Sequence, residues 1–133
     1  MSKFVNTVGL YRWFPETEEK CIHPEDLEAI TKFYPYGKVF FCCGTEGDYI
    51  YLSYGEKRFR VKPERYQKIE SDGYFLGETV EVMNGSAEGK KAKINEMDWH
   101  HKQQKIMYVL KVDNKLRSRR YWKSDFRKVD IDC

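Results

Sequence analysis

From Thr7 to Trp13 the chain reads TVGLYRW, a mixed apolar and polar run that predicts a short strand or extended arm. His23-Pro24-Glu25-Asp26 then signals a helix start. Proline is tolerated in a first turn, where its missing N–H has no helical partner, and the two carboxylates lie at the positive end of the helix dipole. Leu27, Ile30 and Tyr34 follow at helical spacing, with Ala29 and Phe33 beside them, and Pro35 ends the run. From Gly37 the period shortens to two. KVFFCC reads as a strand, Gly44 to Asp48 as a turn, YIYLSY as an alternating aromatic strand, Gly55-Glu56 as a tight turn and KRFRVK as a third strand, which together predict a meander. Cys42 and Cys43, adjacent in a strand, must point to opposite faces, one core and one surface. Pro63 to Tyr66 predicts one helical turn, and Gln67 to Ile69 a brief strand.

Ser71-Asp72-Gly73 is the clearest internal boundary, dividing the chain into residues 1–73 and 74–133. Beyond it, strands are expected at Thr79–Met83, Lys90–Met97, Lys105–Asp113 and Leu116–Trp122. They are joined through Asn84-Gly85-Ser86, a polar connection from His100 to Gln104, and a hairpin turn at Asp113-Asn114-Lys115. Lys123 to Phe126 predicts another single helical turn, before a last strand at Arg127–Ile131. Tyr66-Gln67-Lys68-Ile69 matches Phe126-Arg127-Lys128-Val129 in kind, and each follows an aromatic hairpin strand and a helical turn. Several short strands, one helical turn and a final short strand is the element order of small SH3-like barrels. The expected fold class is therefore mainly β, with small SH3-like barrels in tandem and one N-terminal helix. The first region would be an arm, a helix and a meander that forms a degenerate unit, and the second a C-terminal barrel.

Gly77 to Ile94 reads GETVEVMNGSAEGKKAKI. Val80 and Val82 alternate on one strand face, Gly85 and Gly89 bracket a loop, and Ala92 and Ile94 resume the alternation. These positions resemble the KOW motif, the first hairpin of an SH3-like barrel found in ribosomal proteins and transcription elongation factors. The resemblance implies the barrel and admits RNA, protein or structural roles. Glu88 stands where that motif usually has a basic residue, which puts negative charge in the loop that would meet phosphate, and Ala92 stands where it usually has glycine. The runs GLYRWFPE, IHPEDLE and PYGKVF are similar to an uncharacterised bacterial protein family, a resemblance that implies no function.

Composition sharpens the class. Aromatics make up 16% of the 133 residues, ten of them Tyr, which suits strands and a surface that binds through ring faces. No apolar run reaches the length of a signal-peptide core or a membrane span, so a cytoplasmic protein that avoids membranes, with its four cysteines as thiols, is expected. The net charge of +3 is unevenly spread: −2 over residues 1–36, +1 over 37–73 and +4 over 74–133. An acidic partner would therefore dock on the last third.

Two clusters there are candidate binding residues. Lys90, Lys91 and Lys93 lie on one expected strand, and Arg117, Arg119, Arg120, Tyr121, Trp122 and Lys123 on another; cations hold phosphates and rings stack on bases. Alternation would put Arg117, Arg119 and Tyr121 on one face and Arg120 and Trp122 on the other, so the competing reading is a solvated surface with Trp122 in the core. Asp98-Trp99-His100-His101 falls in an expected connection, where Trp99 would anchor a partner or fold back as a cap. Cys21, His23, the Cys42-Cys43 pair and the His100-His101 pair supply metal-ligand types without paired CxxC spacing, so no metal or cofactor is expected. Nucleophile elbows, phosphate loops and metalloprotease helices have no counterpart in the sequence, so no enzyme is expected. The expected function is a non-catalytic binding module for a protein partner, a small inhibitor or immunity-type protein among the examples, with Trp13, Tyr36, Tyr49, Tyr51, Trp99 and Trp122 as its aromatic surface. The alternative is an RNA/DNA-binding or ribosome-associated factor using Lys90–Lys93 and Arg117–Lys123. The composition specifies no oligomeric state.

Overall fold

A computed structural model describes residues 3–13 and 19–129. The chain divides between Ser71 and Asp72 into two compact units, each built on one five-stranded antiparallel sheet. The mainly β class with one helix is as the hydrophobic pattern predicts.

The first unit runs β1 (Val8–Tyr11), α1 (Leu27–Phe33), β2 (Phe40–Glu46), β3 (Tyr49–Tyr54), β4 (Lys57–Val61), a 3-10 turn at Pro63–Arg65, and β5 (Tyr66–Ile69). The sheet order is β4-β3-β2-β1-β5. Phe40, Leu52, Tyr54 and Phe59 share its inner face, and the Phe33 ring of α1 packs on Phe40, Tyr54 and Phe59 at centroid distances of 5.1–6.0 Å. Tyr34 does not join this face, contrary to its helical spacing. It adopts a left-handed conformation at the helix end (φ 61°) and is exposed, so Phe33 serves in its place. Trp13, expected on the surface, is fully buried. The expected turn at Gly44–Asp48 shrinks to Gly47-Asp48, because a bulge between Cys42 and Gly44 resets the register and lets Glu46 pair with Tyr49. Cys42 is buried and Cys43 half-buried, as their alternation requires.

An ion pair ties the helix start to the sheet. Asp26 Oδ2 accepts from the Arg60 backbone N–H (2.8 Å) and Nε (2.9 Å), and Glu25 and Glu46 contact the same guanidinium. Burial raises the Asp26 pKa, but the side-chain and backbone hydrogen bonds from Arg60 and its charge outweigh that and hold the carboxyl below its ordinary value. A depressed folded-state pKa gives stability that is complete above the ordinary value, about 4, and is lost as the pH falls through the folded-state one. Asp26→Ala is therefore expected to cost about 1–2 kcal/mol at neutral pH, with the difference from wild type closing in acid; urea titrations at both pH values measure it.

The second unit runs β6 (Thr79–Val82), β7 (Lys91–His100), β8 (Lys105–Val112), β9 (Lys115–Leu116), a 3-10 turn at Lys123–Asp125, and β10 (Phe126–Lys128). Its order is β10-β6-β7-β8-β9, so both units place their strands fifth-first-second-third-fourth and insert a 3-10 turn before the fifth. Among the described residues the outermost strands of each sheet do not pair with one another, so neither sheet closes through a hydrogen-bonded seam. Val80, Val82, Ala92, Ile94, Tyr108, Leu110, Tyr121 and Phe126 form the buried face. The Tyr108 hydroxyl donates to Asp72 (2.7 Å) and Lys128 Nζ to the Gly73 carbonyl (2.8 Å), which fastens both residues to this unit.

Strand boundaries in this unit differ from expectation. β7 continues to His100, so Asp98, Trp99 and His100 belong to a strand, and only the residues after His100 form the connection. The expected Leu116–Trp122 strand is broken. Leu116 pairs with Lys111 and Tyr121 bridges Tyr108, so the returning chain has two more residues than β8 between these points and loops out across Ser118–Arg120. Strict alternation cannot survive that excursion. The last strand ends at Lys128, and Asp130 and Ile131, which the sequence reading included, lie outside the described residues.

Candidate functional site

The outer face of the second sheet follows from its inner one. Ala92 and Ile94 point inward on β7, so Lys91 and Lys93 point outward; Leu110 and Val112 point inward on β8, so Lys111 points outward. Cα pairing then fixes a row across four strands, Thr79–Lys93–Lys111–Leu116. Lys93 and Lys111 stand directly opposite one another, and Lys91 is the next outward residue along β7. The carboxylates nearby are already engaged: Glu81, opposite Lys91, pairs with Arg127 (3.1 Å), and Asp113 pairs with Lys90 (3.3 Å). Among the described residues none makes an ion pair with Lys91, Lys93 or Lys111. Like charges placed opposite each other in a sheet cost roughly 0.2–1 kcal/mol. A shallow depression of about 250 Å³ lies here, lined by the three lysines, Thr79, Asn114, Ala92 and Asp113. Its ammonium, hydroxyl and amide groups are donors suited to an anion.

The arginines expected beside these lysines have other work. Arg119 donates to Asn84 Oδ1 (3.1 Å), pairs with Asp125 (3.6 Å) and lies over the Tyr121 ring (5.0 Å). It crosses Gly85 so closely that a Cβ there would clash with its guanidinium nitrogen. Arg117 donates to Ser86 Oγ. Both fasten the Asn84–Ser86 loop to the looped-out segment. Arg119→Ala is accordingly expected to lower stability by about 1 kcal/mol, read by thermal denaturation, without weakening any ligand of the lysine row.

The remaining expected residues are dispersed. Arg120 is exposed, Lys123 pairs with Asp72 (3.7 Å), and Tyr121 is a buried core residue rather than a surface contact. Trp99 is half-buried on the inward phase of β7. His100 stands outward at the far end of β7, its ring edge-on to Trp122 (5.6 Å) with Lys105 Nζ over the same indole (5.7 Å), and its Nδ1 accepts from the Gln103 N–H (3.0 Å). Trp122 is thus half-buried under His100 and Lys105, neither core nor open platform. Lys93 and His100 are seven residues apart, roughly 20 Å along a strand, so the aromatic and lysine clusters do not interleave. Lys111, Thr79, Asn114 and Leu116 were not singled out from sequence; the signal for Lys111 and Leu116 was the Asp113-Asn114 turn, which sets them opposite each other once read as a two-residue hairpin.

Elsewhere the chemistry is structural. A depression of about 340 Å³ in the first unit is lined by Arg12, Cys21, Glu64, Arg65, Tyr66 and Gln67, where Arg12 donates to Gln67 and Arg65 to the Arg12 carbonyl. His23 Nδ1 accepts from the Glu25 N–H (3.1 Å), and its ring rests on Tyr49. Burial pushes the Cys42 thiol up, away from nucleophilic character. Among the described residues no three His, Cys, Asp or Glu side chains assemble as metal ligands, and no helix is long and apolar enough to cross a membrane.

A family model of unknown function, DUF6960, matches residues 1–127. The chain belongs to the DUF6960 family. No curated protein matches it. The DUF6960 match spans both sheets, from β1 into β10. Within this DUF6960 chain Val80, Val82, Ala92 and Ile94 are buried, and Gly85 and Gly89 each adopt a φ of 85°.

Proposed function

We propose that this DUF6960 chain is a non-catalytic binding module made of two SH3-like units in tandem, and that its second unit docks an acidic protein partner on Lys91, Lys93 and Lys111. The observation that carries this is the facing of Lys93 and Lys111 with no carboxylate among the described residues paired to either. A fold that retains such repulsion at an open face is arranged for an anionic ligand. The shared strand order and the KOW-like hairpin support the SH3-like reading. A small inhibitor or immunity-type protein belongs to this class.

The protein-partner reading is favoured over nucleic acid by the separation of rings from lysines. Single-stranded nucleic acid is held by bases stacked among cations. Here Tyr121 is buried, Trp122 lies under Lys105 and His100, and Arg117 and Arg119 are committed to the Asn84–Ser86 loop. Affinity capture with the full chain from nuclease-treated lysate, beside the Lys93→Glu/Lys111→Glu variant, tests this. A protein of acidic pI retained by wild type, released by salt and absent from the variant is expected. Retention of nucleic acid alone before nuclease treatment, or equal capture by the variant, contradicts the proposal.

A further inference from the structure

We infer that the partner segment seated on this face is a short extended peptide with one large apolar side chain followed closely by carboxylates, the apolar group resting on Leu116 and the carboxylates meeting Lys111 and Lys93. This rests on the basic-face reading above and deepens it.

Leu116 is the most exposed large hydrophobic residue described, with 56% of its surface open, and it stands directly opposite Lys111 on the adjacent strand. A lone exposed leucine needs no explanation; one that ends a row of unpaired lysines does more, because it adds an apolar contact to a polar docking face. The spacing sets the length of the peptide. Neighbouring strands are about 4.8 Å apart, so Leu116, Lys111 and Lys93 cover roughly 10 Å, and an extended peptide advances about 3.3 Å per residue. An apolar residue and carboxylates within the next three residues match that row. Thr79 and Asn114 add a hydroxyl and an amide beside it for backbone carbonyls.

The anchor is also held in place before binding. β9 is two residues long and is joined to β8 by Asp113 and Asn114, both at positive φ (52° and 63°), the geometry of a type I′ turn that matches the twist of its strands. Leu116 therefore loses little backbone freedom when a peptide covers it, and that preorganisation favours affinity.

The test uses the full chain and four probes of matched length: a capped peptide of leucine followed by three glutamates, the same peptide with serine for leucine, a lysine counterpart, and single-stranded oligothymidine. Affinities are read by amide chemical-shift titration at low salt, on wild type, Leu116→Ser and Lys111→Glu. The leucine peptide is expected to bind wild type about tenfold more tightly than the serine peptide, with shifts at Lys93, Lys111 and Leu116. That difference should vanish in Leu116→Ser, whose exposed position spares the fold, while Lys111→Glu should weaken both acidic peptides. Equal affinity for the leucine and serine peptides overturns the apolar anchor and leaves the basic docking face standing. No binding by either acidic peptide, or binding by oligothymidine alone, overturns both.

Discussion

Gly9→Ala is expected to destabilise the protein by at least about 3 kcal/mol and to expose the β1 amides to hydrogen exchange. The constraint is space rather than backbone angle. A Cβ at Gly9 would lie 2.5 Å from the Gln67 carbonyl oxygen and 2.6–2.7 Å from the Tyr66 ring. Gly9 pairs with Phe40 on one side and Lys68 on the other, and Tyr66, two pairs along β5, turns its ring into the room the glycine leaves. An aromatic laid across a strand glycine recovers contact area that the missing side chain forfeits. The Tyr66 hydroxyl is fixed at 2.8 Å from Thr7 Oγ1, and burial pushes that phenol up to about 12, so the ring cannot swing out without breaking a hydrogen bond and wetting its pocket. The added methyl must therefore part β1 from β5 or displace the ring. A variant with wild-type stability and unchanged β1 exchange would show that the strands tolerate a wider spacing.

Lys93→Glu combined with Lys111→Glu is expected to weaken an acidic ligand about a hundredfold at low salt, near tenfold for each reversed charge. Each change converts an attraction into a repulsion, and the two residues face each other, so the local potential changes sign rather than fading. The loss should shrink at high salt, because the screening length falls from about 10 Å at 0.1 M to about 3 Å at 1 M. Arg117→Ala with Arg119→Ala serves as the comparison. Those guanidiniums are tied to Ser86, Asn84 and Asp125, so removing them should cost stability before it costs binding. If the arginine pair abolishes binding while the lysine reversal leaves it intact, the docking face lies on the looped-out segment instead.

Most of the fold is legible as hydrophobic period. Val80 and Val82, Ala92 and Ile94, and the YIYLSY strand alternate as a sheet buried on one side demands, and the positive-φ positions at Gly47, Gly55 and Asp113-Asn114 fall in the turns between strands. What escaped the pattern are the places where backbone pairing changes step. The bulge at Ile94/Glu96 lets β7 run on past Met97, keeping inward phase at Met97 and Trp99, so the Trp99 region reads as a connection to any rule that stops at a broken alternation. The two extra residues looped out near Ser118–Arg120 likewise look like strand, because Arg-Ser-Arg-Arg-Tyr-Trp contains no glycine or proline to announce a break.

The site was half legible for the same reason. Charge alone drew attention to Lys91 and Lys93, but also to Arg117 and Arg119, and nothing in sequence separates a lysine left unpaired from an arginine bound to Asn84 and Asp125. Lys111 becomes visible only with the pairing register, since its meaning lies in facing Lys93. Trp13 and Tyr121, rings that look available by residue type, are fully covered.

Urea denaturation of wild type and Lys111→Glu, each with and without the leucine–glutamate peptide, bears most directly on whether the lysine row is a docking face held against its own repulsion. Without peptide, Lys111→Glu should be the more stable by about 0.5–1 kcal/mol, because Lys93 gains an opposite charge across the strand. With peptide, the wild-type midpoint should rise and the variant's should stay where it was. A variant less stable than wild type, or one whose midpoint rises with peptide as far as wild type's, would contradict that reading.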